Sequence, residues 1–384
     1  MSIQGLADGI SDFFFDQVEV EGAELVPGDR PIIFAANHHS GLIDALLLYS
    51  ATPRPIRAVG KSTLWDILLL RPFLHAADVI PVKRVRDGGG SNDEAFAAVS
   101  DALVNGDAIA IFVEGTSHDN PGLAPIKTGA ARMAFDAMGL GALPLIVPVG
   151  IVFEDRERFR SNALVRFGEP IDVAAHHPSA TTEDRDAVRA LTAQVEAGLA
   201  VVAPVWESEA QRAAARTSAI EQLPVGAPLS AVEARAEELA ELRPASLGTP
   251  DPDLVGQRGE ANLLVPPDQI DTLAALVLAP FALVGKWTNR PPFLVVREIA
   301  RRADLNIRAT LKVAAGMILF PIWWVAIAIV ASVLGAPFWW AFGIAAAIAV
   351  LGLLAARELP KARAERRTRR HLRERANPGR ARRA

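Results

Sequence analysis

Ile32-Ile33-Phe34-Ala35-Ala36-Asn37-His38-His39-Ser40-Gly41-Leu42-Ile43-Asp44-Ala45-Leu46-Leu47-Leu48 is the stretch on which the reading of the fold turns. Residues 32–36 are an unbroken apolar run entered from Pro27-Gly28-Asp29-Arg30-Pro31, the pattern of a buried strand leaving a turn. The run ends in Asn37-His38-His39-Ser40, a polar cluster that a core would not choose, and Ala45-Leu46-Leu47-Leu48 starts an apolar helix. A histidine at a strand end, with a carboxylate near the following helix start, suits a general base and its orienter. Neutral imidazole takes a proton from an alcohol near pH 7. A carboxylate behind it fixes the tautomer and stabilises the imidazolium that forms. If the attacking hydroxyl belongs to the substrate, no protein nucleophile is needed. The plainer alternative is a capping Asp44 beside two incidental histidines, since a His-x4-Asp spacing arises easily in a chain of 384 residues.

Working outward, the elements alternate. Ile10 to Phe15 is apolar enough to lie on a membrane surface or to pack as a first helix, the preferred reading, and Gln17-Val18-Glu19-Val20-Glu21-Gly22 alternates like a half-buried strand. Ile56 to Gly60 is a strand delivering Lys61, and an apolar helix is expected over Leu64–Leu70. Ala77 to Arg84 reads as a strand finishing in Lys83-Arg84. Gly88-Gly89-Gly90 is a linker, and Asp93–Leu103 is a helix stopped by Gly106. Ala108 to Val113 is apolar enough for a central strand and ends in Glu114-Gly115-Thr116-Ser117-His118-Asp119. Lys127-Thr128-Gly129 opens a helix that carries Arg132, and Leu145–Gly150 and Leu164–Phe167 are two further strands.

Such alternation predicts an α/β domain with a mixed, mostly parallel sheet flanked by helices, over about residues 16–172. Ligands of such sheets bind outside the strand ends. His38, His39, Asp44, Lys61, Lys83, Arg84, Glu114 and Gly115 fall repeatedly at those ends, which random surface charge would not do. Taken singly, Lys61, Lys83 and Lys127 are ordinary solvated cations and Glu114 an ordinary turn residue. Together, three or four cations with helix-start N–H groups imply an anionic substrate group such as phosphate. No Gly-x4-Gly-Lys-Ser/Thr loop is present, which disfavours a nucleoside triphosphate. His38 and His39 are adjacent rather than four apart on a helix, and His176-His177 sits in a loop, so no metal site is expected.

Composition sets the outer bounds. The chain is 51% hydrophobic and contains no cysteine, which excludes disulfides, thiolate metal sites and a cysteine nucleophile. Met1 to Asp8 carries no basic residue, so no secretory signal is expected. The net charge of −4 averages two unlike regions: residues 357–384 hold 12 Lys/Arg against 3 Glu, a balance of +9, leaving −13 for the rest. Beyond the α/β region, 173–268 is an acidic, Ala- and Glu-rich helical stretch with helices around Glu183–Val202 and Ala231–Leu242. Residues 269–312 form an interfacial or re-entrant segment and linker, with apolar Leu273–Val284 broken by Pro280. Within 313–356, Ala314–Leu334 and Pro337–Ala356 are each long and apolar enough to cross a bilayer, a transmembrane helical hairpin. Trp323-Trp324 falls mid-span and only partly fits an interfacial aromatic belt. Basic residues on both sides of the hairpin place both ends, including the tail 357–384, on the cytoplasmic face. A tail held beside lipid is read as a contact with anionic lipid rather than nucleic acid, or simply as a topology signal.

The motifs resemble the glycerolipid acyltransferase family, over roughly residues 15–172. Its first block, Asn-His-x-Ser followed by Asp, stands here as Asn37-His38-His39-Ser40…Asp44. The second stands as Ala77…Ile80-Pro81-Val82-Lys83-Arg84, the third as Phe112-Val113-Glu114-Gly115-Thr116, and the fourth as Val147-Pro148-Val149. The continuation Ser117-His118-Asp119 and the run Lys127-Thr128-Gly129-Ala130-Ala131-Arg132 are similar to the branch of fungal glycerol-3-phosphate acyltransferases. The resemblance implies that Asp44 orients a histidine, which deprotonates a hydroxyl of glycerol-3-phosphate or its 1-acyl derivative. That hydroxyl attacks an acyl thioester, acyl-CoA or acyl carrier protein, with no cofactor. Arg84, Glu114, Gly115 and Thr116 would then face the acceptor.

Three departures stand out. Strict His-x4-Asp spacing selects His39, whereas the Asn-His-x-Ser register selects His38 and keeps Asn37 and Ser40 in their usual places; His38 is the preferred base. Val113 replaces the usual Pro. Ser117 replaces the Arg that often follows Glu-Gly-Thr, so Lys61, Lys83, Lys127 or Arg132 must supply that charge. The expectation is an integral enzyme of the cytoplasmic membrane whose partners are membrane lipid and an acyl donor thioester, with no nucleic acid. The alternatives are a transacylase or acyltransferase for another polar lipid, or a non-catalytic lipid-binding scaffold.

Overall fold

The computed structural model describes residues 3–66, 70–83, 92–156, 160–224, 227–242, 284–285, 287–301 and 305–349. The chain divides into two compact units, Met1–Ser208 and Glu209–Ala384. In the first, the elements run α1 (Ile3–Phe14), β1 (Val18–Glu21), β2 (Ile32–Ala36), α2 (Leu42–Ala51), β3 (Arg57–Lys61), α3 (Arg71–Ala76), β4 (Ile80–Val82), α4 (Asp93–Val104), β5 (Ala108–Phe112), α5 (Gly129–Gly139), β6 (Leu145–Phe153), β7 (Ala163–Phe167), β8 (Ile171–Asp172), α6 (Val173–His176) and α7 (Arg185–Val202). The strands make one sheet in the order β1-β7-β6-β2-β5-β3-β4, with β8 also on β6. The five strands from β6 to β4 are parallel, while β7 and β8 run antiparallel to β6. The mixed, mostly parallel sheet expected from the sequence is therefore present.

The apolar run 32–36 becomes the centre of this sheet because every one of its side chains can be buried. All five residues of β2 are fully inaccessible, and β2 is laddered on both sides, Ile32 opposite Ala108 and Leu145. Ile33 and Ala35 join Ile109 and Ile146 in a core completed by α4, α5 and α7. Phe34 points to the opposite face, where its ring meets Phe167 edge-on at 5.7 Å. Each large side chain buried there contributes on the order of 2 kcal/mol.

Helix α7 belongs to this core. Its buried Val188, Leu191, Val195, Leu199 and Val202 recur at three- and four-residue spacing, and the Asp184 side chain caps its start by accepting from the N–H groups of Asp186 and Ala187. Its end lies so close to β6 that a Cβ on Gly150 would sit 2.1 Å from the Val202 carbonyl oxygen. The first unit thus runs to Ser208, past the boundary at 172 drawn from composition.

Pro148, in the fourth motif, stands in the middle of β6, where a proline would ordinarily remove a ladder bond. Its carbonyl accepts from Gly168 N–H at 2.8 Å, so its nitrogen faces the same flank, where β7 has ended and β8 has not begun. No ladder bond to β2 is lost.

Three local expectations change. The helix expected at Leu64–Leu70 is a 3-10 turn over Ser62–Asp66, and the α-helix comes later, at Arg71, where Pro72 fits the first turn. The strand ending in Lys83-Arg84 is only three residues long. The acidic region holds a helix the sequence reading did not separate, α8 (Glu209–Gln222).

In the second unit, α8 lies with α9 (Leu229–Leu242), and Arg216 of α8 approaches the fully buried Glu233 of α9 at 2.5 Å. Further on come α10 (Arg290–Arg301), α11 (Leu305–Val333) and a helix over residues 338–349. The tryptophan pair that fitted an interfacial belt poorly has a local task. Trp323 Nε1 donates to the Thr288 carbonyl at 2.8 Å, and Trp324 Nε1 to Asn289 Oδ1 at 2.9 Å.

Among the described residues no helix is long and apolar enough to cross a membrane. The expected transmembrane hairpin is therefore unsupported as a pair of spans, although helices occupy its described part. Arg84, Gly88–Gly90, the segment around Pro280, the end of the second expected span and the basic tail lie outside the described residues.

Candidate active site

The parallel strands deliver their C-terminal ends to one edge of the sheet, and the polar cluster forms there. Asn37 extends β2 by one step: its Nδ2 donates to the Ile151 carbonyl at 3.1 Å and its Oδ1 accepts from Ile151 N–H at 2.7 Å. Beyond it the chain must turn sharply into α2. Gly41 makes that turn at φ 58°, ψ −120°, a region closed to side-chain-bearing residues. The turn leaves two backbone N–H groups pointing at Asp44 in the first helical turn.

Asp44 is completely buried, and its Oδ2 accepts three hydrogen bonds: from His38 Nδ1 at 2.8 Å, His39 N–H at 2.8 Å and Ser40 N–H at 2.7 Å. An ionised carboxylate can only accept, so His38 carries its hydrogen on Nδ1 and its Nε2 is bare. The α2 N-terminus further favours the negative charge on Asp44. The His38 ring lies flat against Phe112 at 4.1 Å, which fixes its plane. The side chain retains 11% exposure, and Nε2 has no hydrogen-bond partner among the described residues.

A second buried carboxylate stands beside the first. Glu114, two residues past the end of β5, is 2% exposed. Its Oε2 accepts from His38 N–H at 2.9 Å and from His118 Nε2 at 2.7 Å, and its Oε1 accepts from Ala124 N–H at 3.3 Å. The Glu114 carboxylate, expected to face the acceptor, is thus turned into the protein.

The remaining candidates divide. The His39 ring stands edge-on to His118 at 5.0 Å, and burial pushes its imidazole below the ordinary histidine range, against the raising pull of Asp44 and Glu114. Gly115 opens the turn after β5 by donating to the Phe112 carbonyl at 3.0 Å, and Thr116 Oγ1 makes only a long bond to the Ser117 carbonyl, 3.4 Å. Lys61 and Lys83 arrive at the same edge on β3 and after β4, two and three strands along from β2. The Asn92 side chain pins the Lys83 backbone through both its N–H and its carbonyl. Lys127 is exposed, its N–H donating to Val113, while Arg132 lies over the Phe96 ring at 5.1 Å, joining α5 to α4 rather than reaching the His–Asp pair.

Sequence reasoning passed over three neighbours. His118 lay in the quoted Glu-Gly-Thr-Ser-His-Asp run, and its four-residue spacing from Glu114 was the available signal. Phe112 was read as strand and as the first residue of the third motif block, not as a neighbour of the histidine. Arg156 follows β6, which extends to Phe153 rather than stopping at Gly150; it donates to the His39 and His118 carbonyls at 3.3 and 3.4 Å and pairs with Asp119.

Residues 17–152 match the family model described as Acyltransferase, a span that begins just before β1, ends within β6 and contains every residue of the site except Arg156. Over that span the chain is similar to the acyltransferases that the family model describes. Among its relatives, the glycerol-3-phosphate O-acyltransferase 2 of Saccharomyces cerevisiae is 43% identical over 84 residues, 21% of this chain and 11% of that one. The 1-acyl-sn-glycerol-3-phosphate acyltransferase alpha of Mus musculus is 28% identical over 155 residues, 40% of this chain and 51% of that one. The chain therefore spans about a tenth of the yeast relative and half of the mouse relative. Among solved structures, the 1-acyl-sn-glycerophosphate acyltransferase PlsC of Thermotoga maritima matches with a TM-score of 0.38 and 23% identity, over 51% of this chain and 77% of that one. Within residues 17–152 the first and third motif blocks meet at one sheet edge, the fourth lies in the middle of β6, and Arg84 of the second lies outside the described residues.

Proposed function

We propose that this protein moves a fatty acyl group from a thioester, acyl-CoA or acyl carrier protein, to a hydroxyl of glycerol-3-phosphate or 1-acylglycerol-3-phosphate. The observation that carries the proposal is the His38 imidazole bonded through Nδ1 to buried Asp44, with Nε2 bare and partnerless among the described residues. His38 Nε2 takes the proton of the acceptor hydroxyl as that oxygen attacks the thioester carbonyl carbon. The imidazolium is held by Asp44. Collapse of the tetrahedral intermediate breaks the C–S bond, and the imidazolium returns the proton to the departing thiolate, giving ester and free thiol. Lys61, Lys83 and Arg84, with Lys127 near the turn at Gly115, supply positive charge for the acceptor phosphate. The helices of the second unit and the basic tail hold the enzyme in the membrane with the site on the cytoplasmic face.

The test is acyl transfer by the detergent-solubilised chain, with both acceptors side by side. His38→Ala and Asp44→Asn each abolish transfer with the fold intact, whereas His39→Ala retains it. Transfer that survives His38→Ala but not His39→Ala reassigns the base. No transfer to either acceptor by the folded wild type rejects the reading. Retention in the membrane pellet after alkaline carbonate washing tests the anchoring separately.

A further inference from the structure

The ring of His118 stands 5.0 Å from that of His39, next to the proposed base in sequence, but is wired differently from the His38 ring. Its Nδ1 accepts from the backbone N–H of Asn120 at 3.1 Å, so that nitrogen carries no hydrogen, and Nε2 is therefore the donor to Glu114 Oε2 at 2.7 Å. Both ring nitrogens are committed to the protein, so this ring cannot take a proton from a substrate without breaking the Asn120 bond.

What Glu114 does with that donor is visible one bond further on. The same Oε2 accepts from the N–H of His38 at 2.9 Å, and the N–H of His118 donates to the carbonyl of His38 at 3.2 Å. The backbone of residue 38 is thus gripped from both sides by one short segment, its N–H through the Glu114 carboxylate and its carbonyl by His118 directly. Beyond the last ladder pair, Ala36 with Phe112, a side chain continues the pairing that the strands have abandoned. The His118 ring is one of three donors that keep a buried carboxylate in place.

We infer that His118 is a positioning residue for acyl transfer, acting through Glu114 to hold the backbone of His38 so that its imidazole stays aligned between Asp44 and the acceptor hydroxyl. Glu114 is then a clamp on the base rather than a ligand of the acceptor. The inference rests on the acyltransferase reading for its chemistry, but not for its geometry.

Two substitutions separate the donor from the ring. His118→Phe keeps an aromatic ring without a donor. His118→Gln places an amide N–H where Nε2 stands. Two readouts are taken on the full chain: kcat and KM for the acceptor, and amide hydrogen exchange of the peptide containing residues 37–41. In His118→Phe, kcat falls about 10- to 100-fold with KM within about twofold, the size expected of a misplaced rather than missing base. The 37–41 amides exchange faster in this variant, and His118→Gln restores both readouts to near wild type. If the Phe variant does not fold, His118→Asn replaces it, because its shorter amide reaches only the Nδ1 position. The proposal is overturned if the donor-less variant keeps wild-type exchange, if it keeps wild-type kcat, or if His118→Gln is equally damaging. Should the wild type transfer no acyl group, the acyltransferase reading fails, and with it the catalytic role of His118. The exchange pattern then still decides whether the clamp exists.

Discussion

Two histidine–carboxylate pairs stand side by side at the same sheet edge, His38 with Asp44 and His118 with Glu114. In residue type, burial and distance they are near twins: 2.8 and 2.7 Å, with both carboxylates inaccessible to solvent. They differ in which ring nitrogen meets the carboxylate. His38 presents Nδ1 and leaves Nε2 bare, whereas His118 presents Nε2 and has Nδ1 occupied by Asn120 N–H. The first ring can accept a proton from outside; the second has nothing left to accept with. Composition and spacing do not distinguish a base from a brace. The orientation of one imidazole does.

The largest effect should come from breaking the first pair. Asp44→Asn substitutes a group that can donate where only acceptance is wanted, so His38 loses the fixed tautomer and the stabilisation of its cation. Turnover should fall about a thousandfold or more with secondary structure unchanged. Steady-state kinetics with circular dichroism on the same preparation check this, and a loss under tenfold would remove Asp44 from the proposed role.

The matching change in the second pair, Glu114→Gln, should cost stability first. One end of the amide must face either Ala124 N–H or the donors from His38 and His118, leaving a buried polar group unmatched at about 1–3 kcal/mol. Denaturant unfolding measures this directly. Turnover should drop about tenfold at the same time, well short of the Asp44 effect, because the base is loosened rather than disabled. An equal loss in both variants would mean that Glu114 also touches the substrate.

The contrast between the pairs also explains what was legible beforehand. The strand Ile32–Ala36 was readable to the residue because an apolar run between a Pro/Gly turn and a polar cluster has little alternative to a central strand. The His38–Asp44 pair followed from motif register, since Asn37 and Ser40 anchor the numbering whereas His-x4-Asp spacing alone pointed to His39. Ring wiring was not legible: the Asn120 bond depends on how residues 114–124 fold back, which no periodicity reports. The inward turn of Glu114 was hidden for the same reason. The place of α7 was missed because composition changes at 172 while packing continues to Val202, where Gly150 has no side chain to keep the helix away.

His39 belongs to neither pair and gives a smaller, pH-dependent effect. Burial lowers its folded-state pKa below the unfolded value near 6.5, so the folded protein resists the proton that the unfolded chain takes up. Stability from this source is complete above about pH 6.5 and declines as the pH falls from there toward the lowered folded pKa. His39→Gln, which cannot titrate, should flatten that part of the acid limb in melting curves recorded from pH 7.5 to 5. A variant limb as steep as the wild type would assign the acid sensitivity to another group.

The smallest effect is expected where a cation–carboxylate pair remains in contact with water. Arg30 bonds Asp172 at 2.6 Å and 3.3 Å, but the side chains keep 30% and 36% exposure, so solvent screens much of the attraction. Asp172 also caps α6 by accepting from Ala175 N–H, and the hydrogen bond from Arg30 holds its carboxyl below the usual aspartate value. A depressed carboxylate contributes stability above its unfolded pKa of about 3.9 and loses it as the pH falls through the folded pKa below that. Arg30→Gln should therefore lower stability by less than about 1 kcal/mol at pH 7, with the difference from wild type shrinking near pH 3 and kcat unchanged throughout. Denaturant midpoints at the two pH values decide it. A difference that persists undiminished at pH 3 would point instead to the Arg30 bonds to the Leu143 carbonyl, which do not titrate.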